Sequence, residues 1–151
     1  MKLKAFFASA LAALALLSSN AFAADYVHSV AGAGGYDLVS YHSKSGPTTG
    51  NGHNVAVHNG VTYLFANKDN LKAFEANPAK YLPAYGGYCA FGVSKGKKFY
   101  GDPTVWKVVD GTLYLNLDTK IQKLWVSDLS DNIEEGDKLW ASIKYTPAAE
   151  L

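Results

Sequence analysis

The chain has 151 residues, with 14 Lys and no Arg against 13 acidic side chains. A near-neutral balance without the planar guanidinium fork argues against nucleic acid or nucleotide phosphates as main partners. Cys89 is the single cysteine, so no internal disulfide can form, and stability must come from packing, for which 10 Tyr, 7 Phe and 3 Trp are available.

The first element is a leader. Lys2 and Lys4 give a short cationic start, residues 5–17 are apolar apart from one Ser, and Ala21-Phe22-Ala23 has the small-x-small form of a signal peptidase site. The apolar run is about thirteen residues, too short to span a roughly 30 Å hydrocarbon core as a helix. Cleavage is expected after Ala23, giving an exported protein, periplasmic or secreted, with no stable membrane anchor. The mature chain, residues 24–151, has the length of one domain, and without Lys2 and Lys4 its acidic side chains outnumber its lysines by one. Its Lys residues are scattered except for Lys95, Lys97 and Lys98, which read as a solvated loop.

A Gly-rich turn at residues 32–35 precedes Tyr36-Asp37-Leu38-Val39-Ser40-Tyr41-His42, whose alternation predicts a short strand. Residues 46–52 form a loop rich in Gly, Pro, Thr and Asn. Two β-rich runs then flank Asn59-Gly60, which predicts a type I′ hairpin because both turn residues accept positive φ. Asn67 reads as the N-cap of a helix over residues 68–76, with Leu71 and Phe74 on its buried stripe and Asn77-Pro78 as its stop. Pro78 opens a further short turn carrying Tyr81 and Leu82. Residues 85–92, Tyr-Gly-Gly-Tyr-Cys-Ala-Phe-Gly, imply a backbone bent closely around packed rings. A second hairpin turns at Asp110-Gly111. The C-terminal part is helical, with Ile121, Leu124 and Trp125 on one face and Asp131 with Glu134 as a capping pair, and residues 146–151 should fray. Neither a linker nor an internal repeat is evident. The fold class is therefore α+β: small antiparallel β-hairpins packed with short helices in a single compact domain.

Residues 35–81 resemble the YHS domain family. The resemblance rests on Gly35-Tyr36-Asp37-Leu38-Val39-Ser40-Tyr41, on Asn59-Gly60-Val61-Thr62-Tyr63-Leu64-Phe65-Ala66, and most specifically on Phe74-Glu75-Ala76-Asn77-Pro78-Ala79-Lys80-Tyr81. Residues 85–92 and 109–116 resemble an extended, exported subgroup, so residues 35–81 are read as the core motif and 82–151 as a C-terminal extension. The resemblance implies metal handling, notably of copper. In the metal-binding form, cysteines fall at the positions of Ala66 and Asn70 and near residues 37–39. A methyl or an amide cannot replace a thiolate for a soft ion, so the inherited ligand set is absent and only the scaffold carries over.

The remaining soft or borderline donors are Cys89, His42, His53 and His58, with His28 near the mature N-terminus. A copper or zinc site from Cys89 with histidine help is chemically reasonable, and the plainer reading of Cys89 is a small buried residue among rings. His53 and His58 lie an odd number apart and would face opposite ways on one strand. Tyr26 occupies the place that an amino-terminal copper clamp gives to His. Asp37 reads as a ligand or, preferably, as a turn cap. Tyr81, Tyr85, Tyr88, Phe91 and Tyr100 could line a pocket for a flat ligand, and more often form core. No Gly-x-Ser-x-Gly elbow, phosphate loop or His-Glu-x-x-His is present. The leading expectation is an exported, non-enzymatic binding protein of the YHS type in metal homeostasis, with copper or zinc. The alternative is a small-ligand or protein-interaction module that uses an aromatic pocket and no metal. A thiol-dependent enzyme built on Cys89 is a distant third.

Overall fold

The computed structural model describes residues 31–151. The leader, its cleavage point and His28 lie outside the described residues. The elements run β1 (Asn51–His58), β2 (Val61–Phe65), α1 (Lys68–Ala76), α2 (Pro78–Tyr81), α3 (Ala90–Val93), β3 (Asp102–Val109), β4 (Thr112–Asn116), α4 (Thr119–Ser127) and α5 (Leu129–Ile143), with short 3-10 turns at Gly32–Gly35, Ser40–His42, Ala84–Gly87 and Ala148–Glu150. The strands form two separate antiparallel hairpins, β1–β2 and β3–β4, and the fold is α+β. Among the described residues, no helix is long and apolar enough to cross a membrane.

The hairpin turns follow from local chemistry. Asn59 and Gly60 have φ of 50° and 77°, Asp110 and Gly111 of 48° and 80°, the double positive φ that a type I′ turn requires. Helix α1 starts where Asn67 accepts from the Asn70 N–H at 2.8 Å, and α4 starts where Asp118 accepts from the Ile121 N–H at 2.8 Å.

These pairs belong to a larger correspondence: the chain folds one unit twice. Each copy opens on a turn in the left-handed region, through Ala33, Gly34 and Gly35 in the first and Tyr85, Gly86 and Gly87 in the second. Tyr36 and Tyr88 then donate back to the carbonyls of Ala33 and Tyr85 and form isolated bridges to Thr49 and Tyr100. Gly50 donates to the Gly35 carbonyl at 2.8 Å and Gly101 to the Gly87 carbonyl at 3.2 Å. The hairpins share their irregularity, a bulge between Asn51 and Val55 in one and between Asp102 and Trp106 in the other. A capped nine-residue helix follows each hairpin. The stretch that reads as an extension is thus largely a second copy, with α5 added. The sequence hides the repeat because only short pieces recur literally, Gly-Gly-Tyr at each opening turn and Gly-x-x-Tyr-Leu after each hairpin turn.

Strand β4 is the spine. With a period of two, Leu113 and Leu115 point into the first core with Leu38, Tyr41, Phe65, Phe74 and Tyr81, while Tyr114 points into the second with Tyr85, Ala90, Val93, Trp125 and Ile143. A strand of a two-stranded sheet is therefore buried on both faces. The Tyr41 hydroxyl donates to the Pro103 carbonyl at 2.7 Å and ties the copies together.

Four local expectations are corrected. Residues 36–42 are two tight turns, because the Asp37 side chain takes the backbone N–H groups of Val39 and Ser40 and curls the chain. Leu124 is 47 % exposed while Trp125 is fully buried, since docking follows the indole. Helix α5 begins at Leu129, so Asp131 sits in its first turn and is not its cap. Lys98 is buried: its ammonium donates to the carbonyls of Lys144 at 2.8 Å and Thr146 at 2.6 Å and lies 5.2 and 5.3 Å from the ring centres of Tyr88 and Trp140. That contact holds the start of the tail expected to fray.

Candidate functional site

Asp37 is fully buried and collects four donors. Oδ1 accepts from the N–H of Val39 at 2.9 Å and of Ser40 at 3.3 Å. Oδ2 accepts from the Ala66 N–H at 2.9 Å and the Asn70 amide at 2.7 Å. Asp37 is a cap, and it also gathers Ala66 and Asn70, from the end of the hairpin and the first turn of α1, onto one carboxylate. The three places where the family resemblance expects cysteines therefore meet in space, occupied here by a carboxylate, a methyl and an amide.

Cys89 holds the matching position in the second copy. Its backbone N–H donates to the Phe99 carbonyl at 2.8 Å, as that of Asp37 does to Thr48 at 2.9 Å. The thiol is fully buried, accepts from the Gly92 N–H at 3.4 Å, and lies 3.8 Å from the Asn116 side-chain oxygen. It caps the four-residue α3. Asn116 is itself fully buried, and its Nδ2 has no hydrogen-bond partner among the described residues.

The three histidines have separate surroundings. His42 packs edge-on against Tyr81 with ring centres 5.4 Å apart, and its Nε2 is buried without a partner among the described residues. Burial, and then the nearby charge of Lys80, hold its pKa below the ordinary histidine value. His53 is exposed near the start of β1. His58 ends β1 against Phe74, 6.0 Å between ring centres. Among the described residues no group of three or more His, Cys, Asp or Glu side chains is placed to hold a metal ion.

Two clefts stand out. One, of about 530 Å³, lies between the two copies. Residues Ala31, Gly34, Pro83 and Gly86 of the two left-handed turn segments border it, with Tyr63, Tyr100, Leu82 and Leu115 as apolar walls and His58 at its edge. Ala33 and Tyr85, with φ of 52° and 56°, hold a conformation that costs side-chain-bearing residues about 1 kcal/mol or more. Of the five aromatics singled out in the sequence, only Tyr100 reaches this cleft. Tyr81 joins the first core, and Tyr85, Tyr88 and Phe91 pack in or on the second. Tyr63 and Leu115 carried no local signal, and the paired Gly-Gly-Tyr segments were the one clue to where the cleft would form. The second cleft, of about 550 Å³, is polar and lies wholly in the first copy, over His42, Asn70 and Lys80.

Comparison with family models, with curated proteins and with solved structures finds no match.

Proposed function

We propose that this chain is an exported binding protein of the YHS type that holds a small, largely apolar organic ligand between its two copies of the hairpin-helix unit. The observation that carries this reading is the cleft of about 530 Å³ bordered by both left-handed turns. Junctions between packed units are where ligand pockets concentrate, and an apolar cavity with a few polar groups at its rim is the usual form. Backbone strain at Ala33, which borders the cavity with φ of 52°, is a second support, since such strain gathers at binding sites. Support for the YHS type comes from the meeting of Asp37, Ala66 and Asn70. Export rests on the leader. The chemistry is capture without turnover.

Native mass spectrometry of the mature protein, purified without denaturation, tests this. The expected result is a co-purified small molecule, or saturable binding of an apolar fluorescent probe, weakened about tenfold in Tyr100→Ala, where one stacking wall is lost. Tyr100 is 77 % exposed, so its truncation leaves the fold intact. Titration with Cu(I), Cu(II) and Zn(II) against a competing chelator addresses the metal reading of Cys89, His42, His53 and His58. Submicromolar binding abolished by Cys89→Ala or His42→Ala, with no response at Tyr100, would replace the proposal by metal capture.

A further inference from the structure

We propose that the free edge of β1 is a self-association surface, on which a second molecule of this chain sets its own β1 antiparallel about a two-fold axis at Ala56 and joins the two first hairpins into one continuous sheet. The contact lies apart from the cleft described above, since neither Val55 nor Val57 lines it.

The edge follows from the register. His58 opposite Val61 closes the hairpin turn, and Ala56 lies opposite Tyr63. In an antiparallel ladder these alternate residues carry the hydrogen bonds to the neighbouring strand. The backbone N–H and C=O groups of Val55 and Val57 therefore point out of the sheet, and among the described residues no other segment pairs with them. The outer edge of β2 differs, because Ala31 bridges to Thr62 there. Ala56 packs on the first core, so the period of two turns Val55 and Val57 to the outer face, where they are 40 % and 70 % exposed. Apolar β-branched side chains beside unpaired ladder groups form a template for another strand.

The internal repeat shows how this fold guards such an edge. Strand β3, the counterpart of β1, begins Asp102-Pro103 and carries Lys107. The carbonyl of Trp106, which stands opposite Leu115 as Val55 stands opposite Leu64, accepts from the Gln122 amide of α4 at 2.8 Å. Proline, charge and a covering group are the usual protections of an edge strand. In α1 the place of Gln122 is taken by Leu71, which has no amide to give. Residues 51–58 contain no Pro and no Lys, Asp or Glu.

Charge selects the occupant. The two-fold axis at Ala56 sets Val55 opposite Val57 of the second molecule and Asn54 opposite His58 of the second molecule, so apolar meets apolar and no lysine or carboxylate faces its own copy. An isologous contact uses the same patch twice and needs only that self-complementarity, whereas a strand without charge carries no pattern that steers a different protein to it. The bulge between Asn51 and Val55 ends the regular segment, so the contact is short and its Kd is on the order of 100 μM.

The test is sedimentation equilibrium of the full mature protein from about 10 μM to about 1 mM, with amide hydrogen exchange read at both ends of that range. A reversible monomer–dimer equilibrium is expected, in which the Val55 and Val57 amides exchange more slowly at the high concentration. Val57→Lys should weaken the dimer about tenfold or more, because each molecule then brings a charge to the paired edge, and its melting curve at low concentration should match that of the parent. Leu124→Lys, which adds the same charge at an exposed position of α4, should dimerise like the parent. A protein monomeric throughout, a dimer whose Val55 and Val57 amides exchange at an unchanged rate, or a dimer as stable in Val57→Lys as in the parent overturns the proposal. Binding of the apolar probe in the cleft should be the same in Val57→Lys, which separates failure here from failure of the functional proposal.

Discussion

Asp37 and Cys89 occupy the same position in two copies of one unit, and each receives the backbone N–H three residues ahead, Ser40 on Oδ1 at 3.3 Å and Gly92 on Sγ at 3.4 Å. Both are fully buried. The carboxylate reaches past the first hairpin and pins α1 to the opening turn, and the thiol, besides capping its own short helix, lies 3.8 Å from the Asn116 side-chain oxygen at the end of β4. One position thus links the opening turn to the end of its hairpin in both copies, through a carboxylate clamp in the first and a weaker thiol contact in the second.

The clamp should be costly to remove. Asp37→Ala leaves the N–H groups of Ala66 and Val39 and the amide of Asn70 without their buried acceptor, and about 3 kcal/mol or more of unfolding free energy should be lost in urea denaturation. Asp37→Asn should recover little of it, because one of its two side-chain positions becomes a donor facing donors. A loss below about 1 kcal/mol would mean that these hydrogen bonds are replaced by water.

Cys89 should be silent to a thiol reagent in the native protein and react only as the chain opens, because its sulfur is fully enclosed and already accepts a hydrogen bond. The reaction rate with excess reagent should rise in step with unfolding as urea is added. Rapid labelling in buffer would show a route to the thiol that the packing does not contain. Cys89→Ala should cost about 1 to 2 kcal/mol.

A methyl at Gly101 would lie 2.6 Å from the Gly87 carbonyl oxygen and 2.6 Å from the Leu115 Cβ. Neither atom can move without parting the second hairpin from its opening turn, so Gly101→Ala should lower the urea midpoint by the equivalent of about 2 to 4 kcal/mol. Gly52, with nothing near its missing Cβ, is the control, and Gly52→Ala should leave the midpoint almost unchanged.

Lys98→Ala removes an ammonium that holds two backbone carbonyls near the C-terminus between two aromatic rings. A loss of about 2 to 3 kcal/mol is expected, with faster hydrogen exchange in the last turn of α5. If exchange there is unchanged, the tail is held by something other than this contact.

Acid should act partly through His42. Its folded pKa is lowered, first by burial and then by Lys80, so the unfolded chain takes up its proton more readily than the folded one. Its contribution to stability is complete above the ordinary histidine value and is lost as pH falls from there through the lowered value. The charged and titratable groups near the ring are Lys80 and Tyr81 from α2, and the Asp37 carboxylate is held away from solvent behind Asn70. Urea midpoints measured from about pH 8 down to about pH 5 should decline less steeply for His42→Gln than for the parent. Parallel declines would assign the acid sensitivity to other groups.

Asn59-Gly60, Asp110-Gly111 and the Asn67 cap were legible in the sequence because each is decided within a few residues, by a positive φ or a hydrogen bond to a neighbour's N–H. The Lys98 contact was not legible, because a run of three lysines looks solvated until the C-terminal carbonyls arrive beside it. Nor was the tight winding of residues 36–42, where an alternating pattern competes with an Asp side chain that prefers its own backbone.

By itself the chain's order of residues determined the two hairpin turns, the start of α1 and the mixed α and β character, since these depend on torsion angles and nearest-neighbour hydrogen bonds. Only the tertiary structure decided that one unit occurs twice, that β4 is buried on both faces, and that Asp37, Ala66 and Asn70 meet while Cys89 and the histidines stay in separate surroundings. Those outcomes depend on which surfaces dock across 29 to 62 residues, and docking is set by the summed burial of many side chains, a quantity that no local period or spacing reports.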